Sequence, residues 1–219
     1  MKNLRQHARN RIRGLLQAYG TTSLKRQLWD SEFSEGRWSC LDATAGDCVY
    51  PFVERLARHG CILDLGCGSG NTGNELNRDA YRLYVGVDVS DVAIAKARQR
   101  SEENQRASRN RFLQSDILTY APGQLFNVIL FRDSIYYIPH HRIPALLERY
   151  AKSLEPAGVF IVRMASGSAR YQRIVDDIES RFEVLEKESF VEPDAVVLVF
   201  RAGKTESRQA STAGSRRSR

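Results

Sequence analysis

No run of apolar residues in this 219-residue chain approaches the roughly 20 needed for a membrane-crossing helix, so the sequence reads as that of a soluble protein. Nothing at the N-terminus resembles a secretion signal. Cysteine is scarce too. Cys40, Cys48, Cys61 and Cys67 contain no CxxC pair and are followed by no zinc-type His spacing, so neither a structural metal nor a metal-assisted reaction is expected. Reduced thiols in a cytoplasm fit this usage.

The net charge of +7 suggests an acidic partner until it is divided along the chain. Residues 1–19 carry five Lys/Arg and no acid, and residues 202–219 carry five against Glu206, contributing +5 and +4 and leaving −2 between them. A basic groove built into the fold is therefore not expected. Docking of nucleic acid through the basic termini stays open but is not favoured over solvated ends.

Residues Ile12, Leu15, Leu16 and Tyr19 fall at helical spacing opposite Arg5, Arg9 and Arg13, which predicts an amphipathic helix packed on the domain. A stretch with Trp29, Phe33 and Trp38 lacks strand alternation and reads as an irregular or helical cap over residues 1–49. A helix follows from about Pro51, with a stop at His59 and Gly60. From Cys61 onward, short apolar runs alternate with loops and amphipathic helices. The predicted strands are 61–65, 83–88, 111–114, 126–131 and 159–163, and the helix after Pro139 carries Ile143, Leu146, Leu147, Tyr150 and Leu154. This is βαβ alternation, an α/β class with a parallel sheet covered on both faces. After a helix at 169–181, the runs 182–188 and 195–201 are separated by a link too short for a crossover helix. They must form an antiparallel hairpin. The Ser/Arg-rich remainder, residues 202–219, is expected to be a disordered basic tail.

The first strand runs through Asp64 and Leu65 into Gly66, Cys67, Gly68, Ser69 and Gly70, a loop that lets a ligand approach the backbone closely. Such a loop alone fits several nucleotide cofactors. The spacing here is GxGxG, and Asp64 stands at the mouth of the loop, where a carboxylate would repel a pyrophosphate. S-adenosylmethionine (SAM) has no phosphate and bears a sulfonium and an ammonium, so Asp64 suits it better. Cys67 supplies a small side chain to the loop and is read as packing there. Asp88 ends the second strand, 18 residues after Gly70, where an acid can accept both hydroxyls of a ribose. NAD and SAM predict that residue equally. Asp116, after the third strand, adds a carboxylate able to accept from an adenine amino group.

The segments DLGCGSGN (64–71), VGVDVS (85–90), QSDILTY (114–120), FNVILFRDSIYYI (126–138) and LEPAGVFIV (154–162) resemble the class I SAM-dependent methyltransferases. The resemblance spans about residues 50–201 and implies a Rossmann-like seven-stranded sheet of order 3-2-1-4-5-7-6 with its last strand antiparallel. It also implies that Asp64 and Gly66 hold the methionine end of the cofactor, that Asp88 holds the ribose, and that Val89, Asp116 and Ile117 surround the adenine.

In that fold the acceptor chemistry follows the fourth strand, here Arg132, Asp133, Ser134, Ile135, Tyr136, Tyr137, Ile138, Pro139, His140, His141. The NPPY pattern of adenine and cytosine amino methyltransferases is missing, as is the glutamate pair of protein arginine methyltransferases. A small or medium-sized acceptor methylated on oxygen or nitrogen is expected instead, oxygen slightly ahead. A hydroxyl acceptor needs a base, for which His140 and His141 are the candidates. Tyr137 is the candidate for substrate contact, and Arg132 for an ion pair with the cofactor carboxylate or an anionic substrate. Trp38 and Trp29 are expected to form a lid, with Trp38 against the cofactor. Rival readings are an RNA or protein methyltransferase docking through basic ends, a non-catalytic SAM-binding module, and an NAD-linked reductase.

Overall fold

A computed structural model describes residues 2–38, 46–166 and 169–203. Seven strands, β1 (Cys61–Leu65), β2 (Leu83–Asp88), β3 (Asn110–Gln114), β4 (Phe126–Arg132), β5 (Leu154–Met164), β6 (Phe182–Phe190) and β7 (Ala195–Ala202), form one sheet of order β3-β2-β1-β4-β5-β7-β6. The first five pair in parallel, and β7 runs antiparallel to both β5 and β6. This is the Rossmann-like order that the sequence implied, closed by the hairpin.

The central strands are apolar on both faces because both faces are covered. All five residues of β1 are buried. Helices α3 (Tyr50–Ala57), α4 (Asn71–Glu75) and α5 (Asp91–Glu103) follow in the first half, and α6 (Ile143–Ala151) and α7 (Ala169–Arg181) in the second. Leu63, Leu65, Val85, Val87, Ile129 and Phe131 pack with Leu146, Leu147 and Ile178 of α6 and α7. Their sheet neighbours Ile62, Tyr84, Val128 and Leu130 point the other way, onto Phe52 and Val53 of α3 and Ile94 and Ala97 of α5. Alternation along each strand thus divides two cores with one sheet between them. β6 lies at the edge with Glu183, Lys187 and Glu188 exposed, a charge pattern that discourages a further strand from pairing.

Two expectations are corrected, Leu154 and the direction of the first helix, and of the two readings of the cap the helical one holds over residues 22–34. Leu154 belongs to β5, paired with Phe126, because α6 ends at Ala151; its helical spacing from Tyr150 was coincidental. The first helix, α1 (Lys2–Tyr19), forms, but its apolar stripe faces outward, with Ile12 at 57% and Tyr19 at 59% exposure. Its inward side carries Ala18 and the polar Gln17 instead. Gln17 donates to Glu32 at 3.0 Å and Arg13 pairs with the same carboxylate at 2.7 Å. The cap is regular over α2 (Thr22–Ser34), started by Thr21, whose hydroxyl accepts from the Leu24 amide. Residues 39–45 of the predicted cap, with Cys40, and 204–219 of the predicted tail lie outside the described residues, and β7 continues through Ala202. No described helix is long and apolar enough to cross a membrane.

Candidate functional site

Open α/β sheets bind ligands at the carboxyl ends of the strands where chain connections diverge, here between β1 and β4. At that point the loop after β1 and the loop after β4 interlock. Gly66 has φ +86°, and a Cβ on it would lie 2.4 Å from the Ser134 Cβ, while the Ser134 hydroxyl donates to the Leu65 carbonyl at 2.5 Å. The glycine is needed for the backbone angle and for the close approach alike. Gly70, at φ +79°, then starts α4, a helix of only five residues and so a weak dipole for a phosphate.

Three acids surround this loop. Asp64 is 1% exposed, accepts a hydrogen bond from the Tyr84 hydroxyl through one oxygen, and has no geometric partner for Oδ1 among the described residues. Burial, offset in part by Tyr84 and by the Arg132 charge, pushes its carboxyl up to about 6. Asp88 accepts the Gly68 amide at 3.0 Å and the Ser90 amide at 2.9 Å, so it fixes the glycine loop to the start of α5. Burial raises it to about 6 as well, against the pull of those backbone donors. Neither acid has an ion-pair partner among the described residues. Asp116 differs. Its Oδ2 is held by Lys25 at 3.0 Å and Thr22 at 3.1 Å, both from α2, and its Oδ1 accepts the Leu118 amide at 2.9 Å. About one of its roughly four acceptor positions is left for a ligand.

Helix α2 is fastened across the cleft by those bonds and by others to α5. Asp30 accepts the Ser90 hydroxyl at 2.6 Å and the Val92 amide at 3.2 Å, and Lys96 donates to the Phe33 carbonyl at 2.7 Å. The cleft beneath α2, with a cavity volume of about 270 Å³, is bounded by Gly66, Gly68, Asp88, Val89, Asp116 and Ile117 on the sheet side. Trp29, Phe33 and Trp38 close it from the cap, and Arg132, Tyr136 and Tyr137 from the β4 loop. Asp64 and Cys67 line an adjoining recess that shares Gly66, Gly68 and Arg132. Burial pushes the Cys67 thiol far up, so it stays protonated and packs.

The structure therefore brings together Asp64, Gly66, Cys67, Gly68, Asp88, Val89, Asp116, Ile117, Arg132, Trp38 and Tyr137. It does not bring the histidines with them. His140 and His141 begin a single helical turn beyond the cleft; His140 meets Asp177 at 3.0 Å with 46% of its side chain exposed, and His141 is exposed and stacks on Tyr19. Pro139 turns the chain away before either can face the cavity. Tyr137 is present as a neutral phenol, pushed to about 12 by burial and by the nearby Glu32 and Asp133 charges. Arg132 is engaged by Asp47, at 2.8 Å from Nη2 and 3.1 Å from Nε. The sequence reading missed Lys25, Asp47, Glu32, Asp133 and Tyr84. Only Asp133 carried a local signal, its place beside Arg132 at a strand tip, where it adopts φ +52°.

Comparison with known proteins adds three findings. Residues 62–158 match a family model described as a methyltransferase domain. The trans-aconitate 2-methyltransferase of Variovorax paradoxus (strain S110) is 35% identical over 105 residues, which is 47% of this chain and 38% of that protein. The chain spans less than half the length of the curated relatives it matches first. Among solved structures, the N-methyltransferase NodS from Bradyrhizobium japonicum WM9, in complex with S-adenosyl-L-homocysteine (SAH), superposes with a TM-score of 0.65 at 18% identity, covering 82% of this chain and 98% of that one. The cyclase SpnF superposes with a TM-score of 0.66 at 14% identity, covering 83% and 97%. At these identities the superpositions establish the fold alone.

Proposed function

We propose that this chain is a class I methyltransferase that binds SAM in the cleft and methylates an oxygen or nitrogen of a small or medium-sized acceptor, a reading supported by the match of residues 62–158 to a methyltransferase-domain model. The observation that carries the reading is the pair of buried, unpaired carboxylates Asp64 and Asp88 on either side of a glycine loop whose helix is too short to hold a pyrophosphate. Asp64, buried beside the Tyr84 and Thr72 hydroxyls with no ion-pair partner among the described residues, suits an ammonium. Asp88 suits ribose hydroxyls, and Val89 and Ile117 supply apolar faces for a base. The residues present thus fit SAM and disfavour NAD.

When bound, SAM supplies a methyl carbon already activated by a sulfonium, so the chain's own residues have mainly to bind, orient and exclude water. Trp29 and Phe33 do the last from α2, held across the cleft by the Lys25 bond to Asp116, together with Trp38 from the turn that follows it. None of the residues lining the cavity is a histidine, so the reaction does not depend on an imidazole base among the described residues. The fold alone does not dictate methyl transfer, since SpnF shares it and is named a cyclase. The free thiols Cys48, Cys61 and Cys67 agree with a reducing cytoplasm as the proposed setting.

Incubation of the full chain with methyl-labelled SAM and a fractionated cell extract tests the reading. Label is expected in the low-mass fraction; label confined to RNA or protein would favour docking through the basic ends, and no transfer would favour a binding module.

A pH dependence follows from the two raised carboxylates. A positively charged ligand favours their ionised forms, so SAM affinity should be constant above about pH 7 and fall as the pH drops through 6. Binding at pH 6 should release about half a proton or more per molecule, measurable by calorimetry in two buffers of different ionisation enthalpy. Without ligand the sign reverses. The folded chain holds these protons more tightly than the unfolded one, so both carboxylates cost stability as the pH rises from 4 through 6. Proton uptake on binding would contradict the assignment.

A further inference from the structure

Four aromatic rings of the cavity form one continuous wall. Trp29 lies 5.8 Å from Trp38 and meets Tyr137 edge-on at 4.8 Å, and Tyr137 lies 4.8 Å from Tyr136, centroid to centroid. Acids lie near three of them, Trp38, Tyr136 and Tyr137. The Trp38 indole donates to Glu32 at 2.9 Å, and Glu32 is itself only 5% exposed. An indole that donates to a carboxylate gains electron density on its ring face, which strengthens its attraction for a cation. Asp133 lines the cavity beside Tyr136.

The cations near the wall are all committed to carboxylates. Lys25 is closed by Asp116 at 3.0 Å, Arg132 by Asp47 at 2.8 Å, and Arg163 by Asp133, with side-chain exposures of 6% to 21% across the three pairs. Arg13 is likewise committed to Glu32. Asp64 and Asp88 are taken up by the cofactor in the reading above, and at the wall itself every described Lys or Arg is matched by a carboxylate, so none of these cations is free for an anionic acceptor. An acceptor bearing several carboxylates would have to pull a cation from its pair, leaving Asp116 or Asp47 buried and uncompensated. An ammonium needs no such rearrangement.

We infer that the acceptor recognised by this wall is a protonated organic amine, held over Trp29, Trp38, Tyr136 and Tyr137, and that a polycarboxylate like the one for which the sequence relatives are named does not bind here. This rests on the methyl-transfer reading above. It assigns the aromatic wall to acceptor recognition, with the ammonium as the anchoring group; because a protonated nitrogen has no lone pair, methylation at that atom requires prior loss of its proton to solvent or to a cavity carboxylate such as Asp133. The site also contrasts with an oxyanion-binding one in having no uncommitted Lys or Arg among its described lining residues.

The test loads the full chain with SAH and titrates it with benzylammonium, its neutral analogue benzyl alcohol, its anionic analogue benzoate, and trans-aconitate, followed by tryptophan fluorescence and calorimetry. Benzylammonium should bind at least about tenfold more tightly than benzyl alcohol, with benzoate and trans-aconitate showing no saturable binding. In Trp29→Leu, SAH binding reports a folded cleft, and ammonium affinity should drop about tenfold or more. Should that variant not fold, the comparison of the four probes on the unaltered chain decides by itself. Equal or absent ammonium binding on the SAH-loaded chain, or tighter binding of either anion, overturns the inference. Failure of SAH itself to bind overturns instead the reading on which it rests.

Discussion

Asp88→Ala is expected to weaken SAM binding by a hundredfold or more. Two ribose hydroxyls donating to a charged acceptor contribute about 1.5 kcal/mol or more each, and about 1.4 kcal/mol corresponds to a factor of ten. The substitution also removes the acceptor shared by the Gly68 and Ser90 amides, so the glycine loop loses its tie to α5. Asp88→Asn keeps one acceptor oxygen and one loop contact, and should lie between the two, at about a tenfold loss. Calorimetry on all three forms checks the order. An Ala variant within threefold of the unaltered chain would mean that the ribose sits elsewhere.

Gly66→Ala is expected to be the most damaging small substitution in the loop. At φ +86° an L-residue costs about 1–2 kcal/mol, and a Cβ placed 2.4 Å from the Ser134 Cβ forces the two strand-tip loops apart, adding about 1–3 kcal/mol. A total of about 3 kcal/mol would lower Tm by about 10 °C in a chain of this size. Neighbouring glycines make the prediction specific. Gly68→Ala has φ +52° but meets only the Phe33 ring, at 3.5 Å, so it should cost about 1 kcal/mol. Gly123→Ala has nothing within 4 Å and should leave Tm unchanged. Thermal unfolding of the three variants would expose an error if Gly68 proved the more sensitive position.

Legibility in the sequence followed the range of the interaction concerned. The β1 and β2 boundaries came out residue for residue because strands buried on both faces are uninterrupted apolar runs stopped by glycine or acid. The hairpin of β6 and β7 was forced by the length of one link. Asp64, Gly66, Asp88 and Asp116 were visible because strand tips in this architecture share one edge. Pairings between distant segments were not visible. Lys25 meets Asp116 across 91 positions, and Arg132 meets Asp47 across 85. Helical periodicity placed an apolar face on α1 but not its direction, which is decided by Gln17 and Arg13 finding Glu32 on α2. The histidines were misplaced for a similar reason. Sequence proximity to the fourth strand does not specify the turn at Pro139, which carries His140 toward Asp177 on α7.

Pairings with Lys25 of α2 and with Asp47 also change what Asp116 and Arg132 can do. Each reads in the sequence as a free charge awaiting a ligand, yet each is already satisfied by a partner of opposite sign. Buried pairs of this kind are costly to break from one side, so these residues shape the cleft more than they supply it with charge. Asp64 and Asp88, which have no ion-pair partner among the described residues, are left to supply it in the proposed reading.

The central claim is that Asp64 at the mouth of the GxGxG loop selects SAM over a dinucleotide, while Asp88 takes the ribose. Calorimetric titration of the full chain at pH 7.5 with SAM and, separately, with NAD tests it most directly. Saturable one-to-one binding of SAM, with no heat from NAD, is the predicted result. Saturable binding of NAD with no response to SAM would contradict it.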